Sequence, residues 1–198
     1  YGGYYSRSLA DPERSEPPPP PQPGPYGAMA EAWTVGFLKD IPAAIDILKR
    51  AEARYPDDPT LPAARAQLAL LVDDRAQVRE AIARSLSLDP DDPMALEARA
   101  NYRADVEGNL DAALGDISTA AEIAPGSTTI WNTLGNIQHT RGATLEAEAA
   151  LKRSIELDPN DPVGYANLAF LYLDQDRVRE AKPLIDRALE LDPAFDVG

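Results

Sequence analysis

The chain carries one histidine, His139, and no cysteine, so the chemistry open to its side chains is narrow. A lone imidazole with no thiolate and no carboxylate at metal-ligand spacing assembles neither a zinc site nor a Ser-His-Asp arrangement. Glycine motifs that cradle phosphate, and the G-x-S-x-G nucleophile elbow, do not occur in the sequence. The acidic clusters Asp57-Asp58, Asp89-Pro90-Asp91-Asp92 and Asp158-Pro159-Asn160-Asp161 raise the question of calcium. They lack the spaced oxygen ligands and the bidentate Glu of an EF-type loop. Each cluster instead ends on an Asp followed by Pro, which is a helix start: the carboxylate caps the N-terminus and Pro takes the first helical position. The expectation is no enzyme, no metal and no cofactor.

Charge narrows the partners. With 33 acidic against 19 basic residues the formal charge is -14, and Arg is scattered among the acids. A phosphate backbone needs clustered Lys and Arg, so nucleic acid is not an expected ligand, and an anionic membrane surface is disfavoured for the same reason. No apolar run approaches the roughly 20 residues needed to span a bilayer. The chain starts at Tyr1, not Met, which fits a removed export leader and an extracytoplasmic setting; nothing further bears on localisation.

Spacing is the strongest signal. Pro56, Pro90, Pro125, Pro159 and Pro193 fall 34, 35, 34 and 34 residues apart, and the last four close Leu-Asp-Pro or Ile-Ala-Pro after an apolar helical stretch. A period of that length means repeating supersecondary units that must stack to bury their apolar faces. Trp131, Leu134 and Gln138, like Tyr165, Leu168 and Tyr172, recur at i, i+3 and i+7 and mark one stripe on a first helix. Gly135 and Ala169 are small where a paired helix crosses, and Ala147, Leu151 and Ser154 continue the stripe on the second helix. Pro183 inside the last second helix should cost up to about 3 kcal/mol unless it falls in the first turn.

These residues resemble the tetratricopeptide repeat, strongly in units 128–161 and 162–195 and more loosely in units 27–58, 59–92 and 93–127. The third unit carries one extra residue, and Arg99 or Glu97 stands where an apolar residue is expected. The resemblance implies an all-α, right-handed solenoid of five helix pairs over residues 27–198. It also implies that the first helices line a concave groove for a peptide or partner helix, with Asn132, Thr133, Asn136, His139, Thr140, Asn167 and Phe170 on its inner surface. Amide side chains suit an extended backbone, since they both donate and accept hydrogen bonds. The Lys and Arg that hold peptide carboxylates in such grooves are missing from these positions.

Residues 1–26 form an arm of different composition. Pro17, Pro18, Pro19, Pro20 and Pro21, with Pro23 and Pro25, predict a polyproline II rod of roughly 28 Å. Tyr1, Tyr4, Tyr5 and Tyr26 bring large contact area at small rotamer cost. Only five residues follow Pro193 in this sequence, so the expectation is a last unit whose outward face is left for a downstream segment, another copy or a neighbour's arm to cover. Two functions follow as expectations. One is a self-assembling subunit that contacts further copies of itself through its arm and uncapped ends, giving a homo-oligomer or filament. The other is an adaptor holding a segment of a different protein in the groove.

Overall fold

The computed structural model describes residues 24–37 and 40–193, and among them there are ten helices and no strand. They are α1 (Pro25–Phe37), α2 (Ile41–Arg54), α3 (Thr60–Leu71), α4 (Arg75–Leu88), α5 (Pro93–Asp105), α6 (Leu110–Ile123), α7 (Thr128–Thr140), α8 (Thr144–Leu157), α9 (Pro162–Asp174) and α10 (Val178–Leu191). Consecutive helices pack as five pairs, and each second helix also packs on the first helix of the next pair. The expected contributions of Tyr1, Tyr4, Tyr5 and Pro17 to Pro21 lie outside the described residues. Tyr26, assigned to the arm, is instead the second residue of α1 and 70% exposed. Pro25 already holds helical φ and needs no amide partner, so the helix opens on it.

The helix starts follow the Asp-Pro reading with one shift. Asp92 accepts from the Ala95 amide at 2.7 Å and Asp161 from the Val163 amide at 3.0 Å, each with Pro next in line. At the second unit the helix begins one step later, at Thr60, and Asp58 caps it through the Thr60 amide (2.9 Å) and hydroxyl (2.5 Å). Asp40, Asp74, Asn109 and Ser127 cap α2, α4, α6 and α7 in the same manner. The acidic hinges are thus spent on helix ends.

Between the paired helices the turn is three residues long in the second, fourth and fifth units and four, Val106–Asn109, in the third. That turn houses the extra residue of the repeat. Each turn passes through the left-handed region at the same place: Asp73, Gly108, Gly142 and Asp176 all have positive φ. Glycine takes this conformation without cost, and Asp is among the few side chains that tolerate it.

Apolar burial runs through the whole stack. Leu48, Leu61, Leu68 and Val78 close the first two pairs, Ile117, Ile130 and Ile137 the middle, and Leu151, Leu168 and Leu171 the last two. Alanine dominates the contact lines, which lets backbones approach closely. The first helices α1, α3, α5, α7 and α9 each touch the next in that row, whereas α2, α4, α6, α8 and α10 touch no other member of theirs. One row is therefore tighter than the other, and the stack curves with the first helices on its inner side.

Two polar ties replace apolar packing. On α3, Arg65 is buried and reaches both neighbouring second helices, bonding Glu52 through Nε (2.6 Å) and Nη2 (3.1 Å) and Glu80 through Nη1 (3.0 Å) and Nη2 (3.1 Å). Its guanidinium bridges the splayed row. On α5, Arg99 bonds both oxygens of Asp116 on α6 at 2.8 Å, and Arg103 joins the same carboxylate.

Candidate functional site

The inner row presents the residues that the sequence nominated, in two layers. Asn132, Thr133 and Asn167 are buried, Thr133 against Glu97 of α5; Asn136 and His139 are half-buried, and Thr140 and Phe170 are exposed. On α7 these positions share one face, since Thr129, Thr133, Asn136 and Thr140 follow three- and four-residue steps. Moving along α7 and α9 toward their C-terminal ends, the face opens to solvent.

At that open end α7 meets α9. The His139 ring stands edge-on to Phe170 with centroids 5.7 Å apart, and its Nε2 lies 3.1 Å from Asp174 Oδ2. Leu173, three residues beyond Phe170, is 41% exposed. A His–Asp pair invites thought of proton transfer, but the adjacent hydroxyl of Thr140 donates to the Asn136 carbonyl at 2.9 Å. No nucleophile is presented to the imidazole by that route, and the cluster offers an apolar patch with a polar edge.

Deeper in the row sits a residue that sequence reading had flagged only as a misfit. Glu97 of α5 is buried and accepts three hydrogen bonds from the flanking first helices. Gln67 Nε2 of α3 lies 3.3 Å from Oε2, Thr129 Oγ1 of α7 lies 3.4 Å from Oε2, and Thr133 Oγ1 lies 3.1 Å from Oε1. Every donor is neutral. Burial pushes the carboxyl up to about 7, against the opposite pull of the bonds from Thr133, Thr129 and Gln67. The signal was available in the period: 35 residues separate Glu97 from Asn132, so both hold the same place in their units. Asn132 Oδ1 is itself buried without a partner.

Leu173 and Asp174 were also missed. They stand 34 residues after His139 and Thr140, so the same alignment places them on the inner face. Outside the row, a shallow depression of about 660 Å³ lies between the turns 108–111 and 140–143. The exposed pair Arg141–Asp111 (2.6 Å) joins those two turns. Among the described residues no three His, Cys, Asp or Glu side chains gather to hold a metal, and no helix is long and apolar enough to cross a membrane.

Paired helices at a 34-residue period, curved with the first helices inward, define a helical-repeat solenoid whose working parts are surfaces. Residues 139–196 match the Tetratricopeptide repeat family. The fold of the chain is similar to that of a thermophilic tetratricopeptide-repeat protein of Thermus thermophilus, with a TM-score of 0.75 and 23% identity over 86% of this chain and 92% of that one. It is also similar to PilW, described as a widely conserved type IV pilus biogenesis factor (TM-score 0.71, 16% identity, 85% of this chain and 78% of that one). MamA of Desulfovibrio magneticus RS-1 is a third such structure, with a TM-score of 0.61 and 16% identity over 89% and 99% of the two chains. At these identities the likeness is one of fold. No curated protein sequence matches the chain.

Proposed function

We propose that this protein is a non-enzymatic protein–protein interaction scaffold that receives an extended segment of another polypeptide along the inner row of first helices. The observation that carries this reading is the open end of the row. There Asn136, Thr140, His139 and Asp174 supply donors and acceptors beside the exposed Leu173, a combination suited to an extended backbone with an apolar side chain. Selection of peptides from a displayed library, followed by titration of the best binder, tests it. Asn136→Ala combined with Leu173→Ala should weaken that binder by about tenfold or more while circular dichroism stays unchanged, since a buried anchor and its hydrogen bonds carry most of such energies. Unchanged affinity in the double variant would sink the reading.

Self-assembly is the second reading, and one comparison favours it. In α8 the side chains Ala150 and Leu151 are buried, whereas their counterparts 34 residues on, Leu184 and Ile185 of α10, are only half-buried. That apolar strip, with the Tyr- and Pro-rich residues 1–23, is what a further copy would cover. Light scattering across the micromolar range should then give a mass that grows with concentration for the full chain and not for a chain starting at Gly24. A constant monomer mass for both excludes this second reading and leaves the first intact.

A further inference from the structure

Glu97 joins three successive first helices, yet no charge answers its own. The hydrogen-bonded ring around it can exist in two forms. As a carboxylate, Glu97 accepts from Thr133 at Oε1 and from Gln67 and Thr129 at Oε2. As an acid with its proton on Oε1, it donates to Thr133 Oγ1, whose hydroxyl turns from donor to acceptor, while Oε2 keeps both of its bonds. All three distances, 3.1 to 3.4 Å, are longer than the 2.7–2.9 Å or so expected of bonds assisted by a full charge. The spacing of the helices suits the neutral form.

The charged groups on the elements packed against α5 are paired elsewhere or face solvent: on α4, Arg75 pairs with Asp73 and Arg79 and Arg84 are exposed, and on α6 Glu122 is exposed. From α3, Arg65 is held by Glu52 and Glu80, the latter on α4; from α6, Asp116 is held by Arg99 and Arg103. From α7, His139 lies against Asp174 at the open end of the row. A bare carboxylate in this position must draw its donors closer or admit water, and α5, α3 and α7 are fixed on their other sides by the apolar core.

We propose that Glu97 is a proton-operated latch for the inner face: its acid form closes α5 against α3 and α7, and loss of the proton lets water between them and opens the row. The raised proton affinity noted above sets the switch in the neutral pH range. This deepens the reading of the inner row as a binding surface, but it is measured without any bound segment, so the two can fail separately.

The test uses the full chain. Carbon-detected NMR of the side-chain carboxyls should show Glu97 titrating with a midpoint near 7. Amide hydrogen exchange in α5 and α7, corrected for the intrinsic pH dependence, should speed by about tenfold between acid and alkaline sides of that midpoint. Glu97→Gln keeps the shape without the titrating proton, and its exchange should stay flat with pH. A Glu97 midpoint in the ordinary carboxylate range overturns the proposal, as does an equal rise in exchange in the Gln variant. The wild-type carboxyl titration stands even if that variant folds poorly.

Discussion

A Cβ placed on Gly135 would lie 2.6 Å from Leu151 Cγ and 2.7 Å from Leu151 Cδ2, so α7 and α8 touch where one residue has no side chain and the other fills the space. Leu151 is buried, so its branch carbon and methyl have little free space to move into. Gly115 of α6, by contrast, has nothing within 4 Å of its Cβ direction.

The two glycines therefore make opposite predictions for the same substitution. In a helix interior Gly→Ala ordinarily gains about 1 kcal/mol. Gly115→Ala should show that gain in urea unfolding. Gly135→Ala should lose about 1–3 kcal/mol net, because the overpacking must displace Leu151 or part the helices. Equal stabilisation at both sites would mean that the pair is looser than its geometry.

Arg65 invites a test of the outer row. Its side chain is 2% exposed, against 19% for Glu52 and 67% for Glu80, so Glu52 is the partner that would be stranded. We expect Arg65→Ala to cost about 3 kcal/mol, the lower end for breaking a buried ion pair, since Glu80 can hydrate. Adding Glu52→Leu should recover a large part of that loss. Recovery would be absent if Arg65 acted only through packing of its aliphatic stem.

How much of this was readable beforehand depended on which residue filled the repeat position. In the last two units the aromatic of the first helix also locks the preceding proline: Trp131 Nε1 donates to the Pro125 carbonyl at 2.9 Å and Tyr165 OH to the Pro159 carbonyl at 3.1 Å. Those units matched the repeat pattern closely because the residues that stack are also the residues that cap. In earlier units Arg65 and Arg99 occupy the place of Leu134 and Leu168, 34 or 35 residues apart. A hydrophobic stripe is the wrong template there, since ion pairs to Glu52, Glu80 and Asp116 do the joining. Fold and period were legible; the depth of Asn132, Thr133 and Asn167 was not, because it depends on how closely consecutive first helices approach, which no single unit encodes.

Acid should act through Glu148. The Lys152 ammonium and Arg177 guanidinium beside it, together with the Tyr172 hydroxyl, outweigh burial and hold its carboxyl down at about 2. A group whose folded value lies below its unfolded one stabilises above the unfolded value and loses that contribution as pH falls. The window here runs from about 4.5 down to about 2. Because Lys152 and Arg177 are partly exposed, the contribution is on the order of 1 kcal/mol after screening. Glu148→Gln should flatten this portion of the acid-unfolding curve, as read by helical circular dichroism. An unchanged slope would assign acid sensitivity to other carboxylates.

The last helix carries a correctable flaw. Pro183 is the sixth residue of α10, beyond the first turn, so its ring removes an amide that would have bonded the Arg179 carbonyl. The helix continues through it to Leu191, and both Pro183 and Arg179 are exposed, so water reaches the abandoned carbonyl and softens the cost. Pro183→Ala should restore the bond and raise stability by about 1–3 kcal/mol, with slower hydrogen exchange confined to α9 and α10. If exchange slows equally in α1 to α4, the five pairs unfold as one unit and not from the C-terminal end. If stability falls instead, the proline ring is packing against something that its exposed position does not reveal.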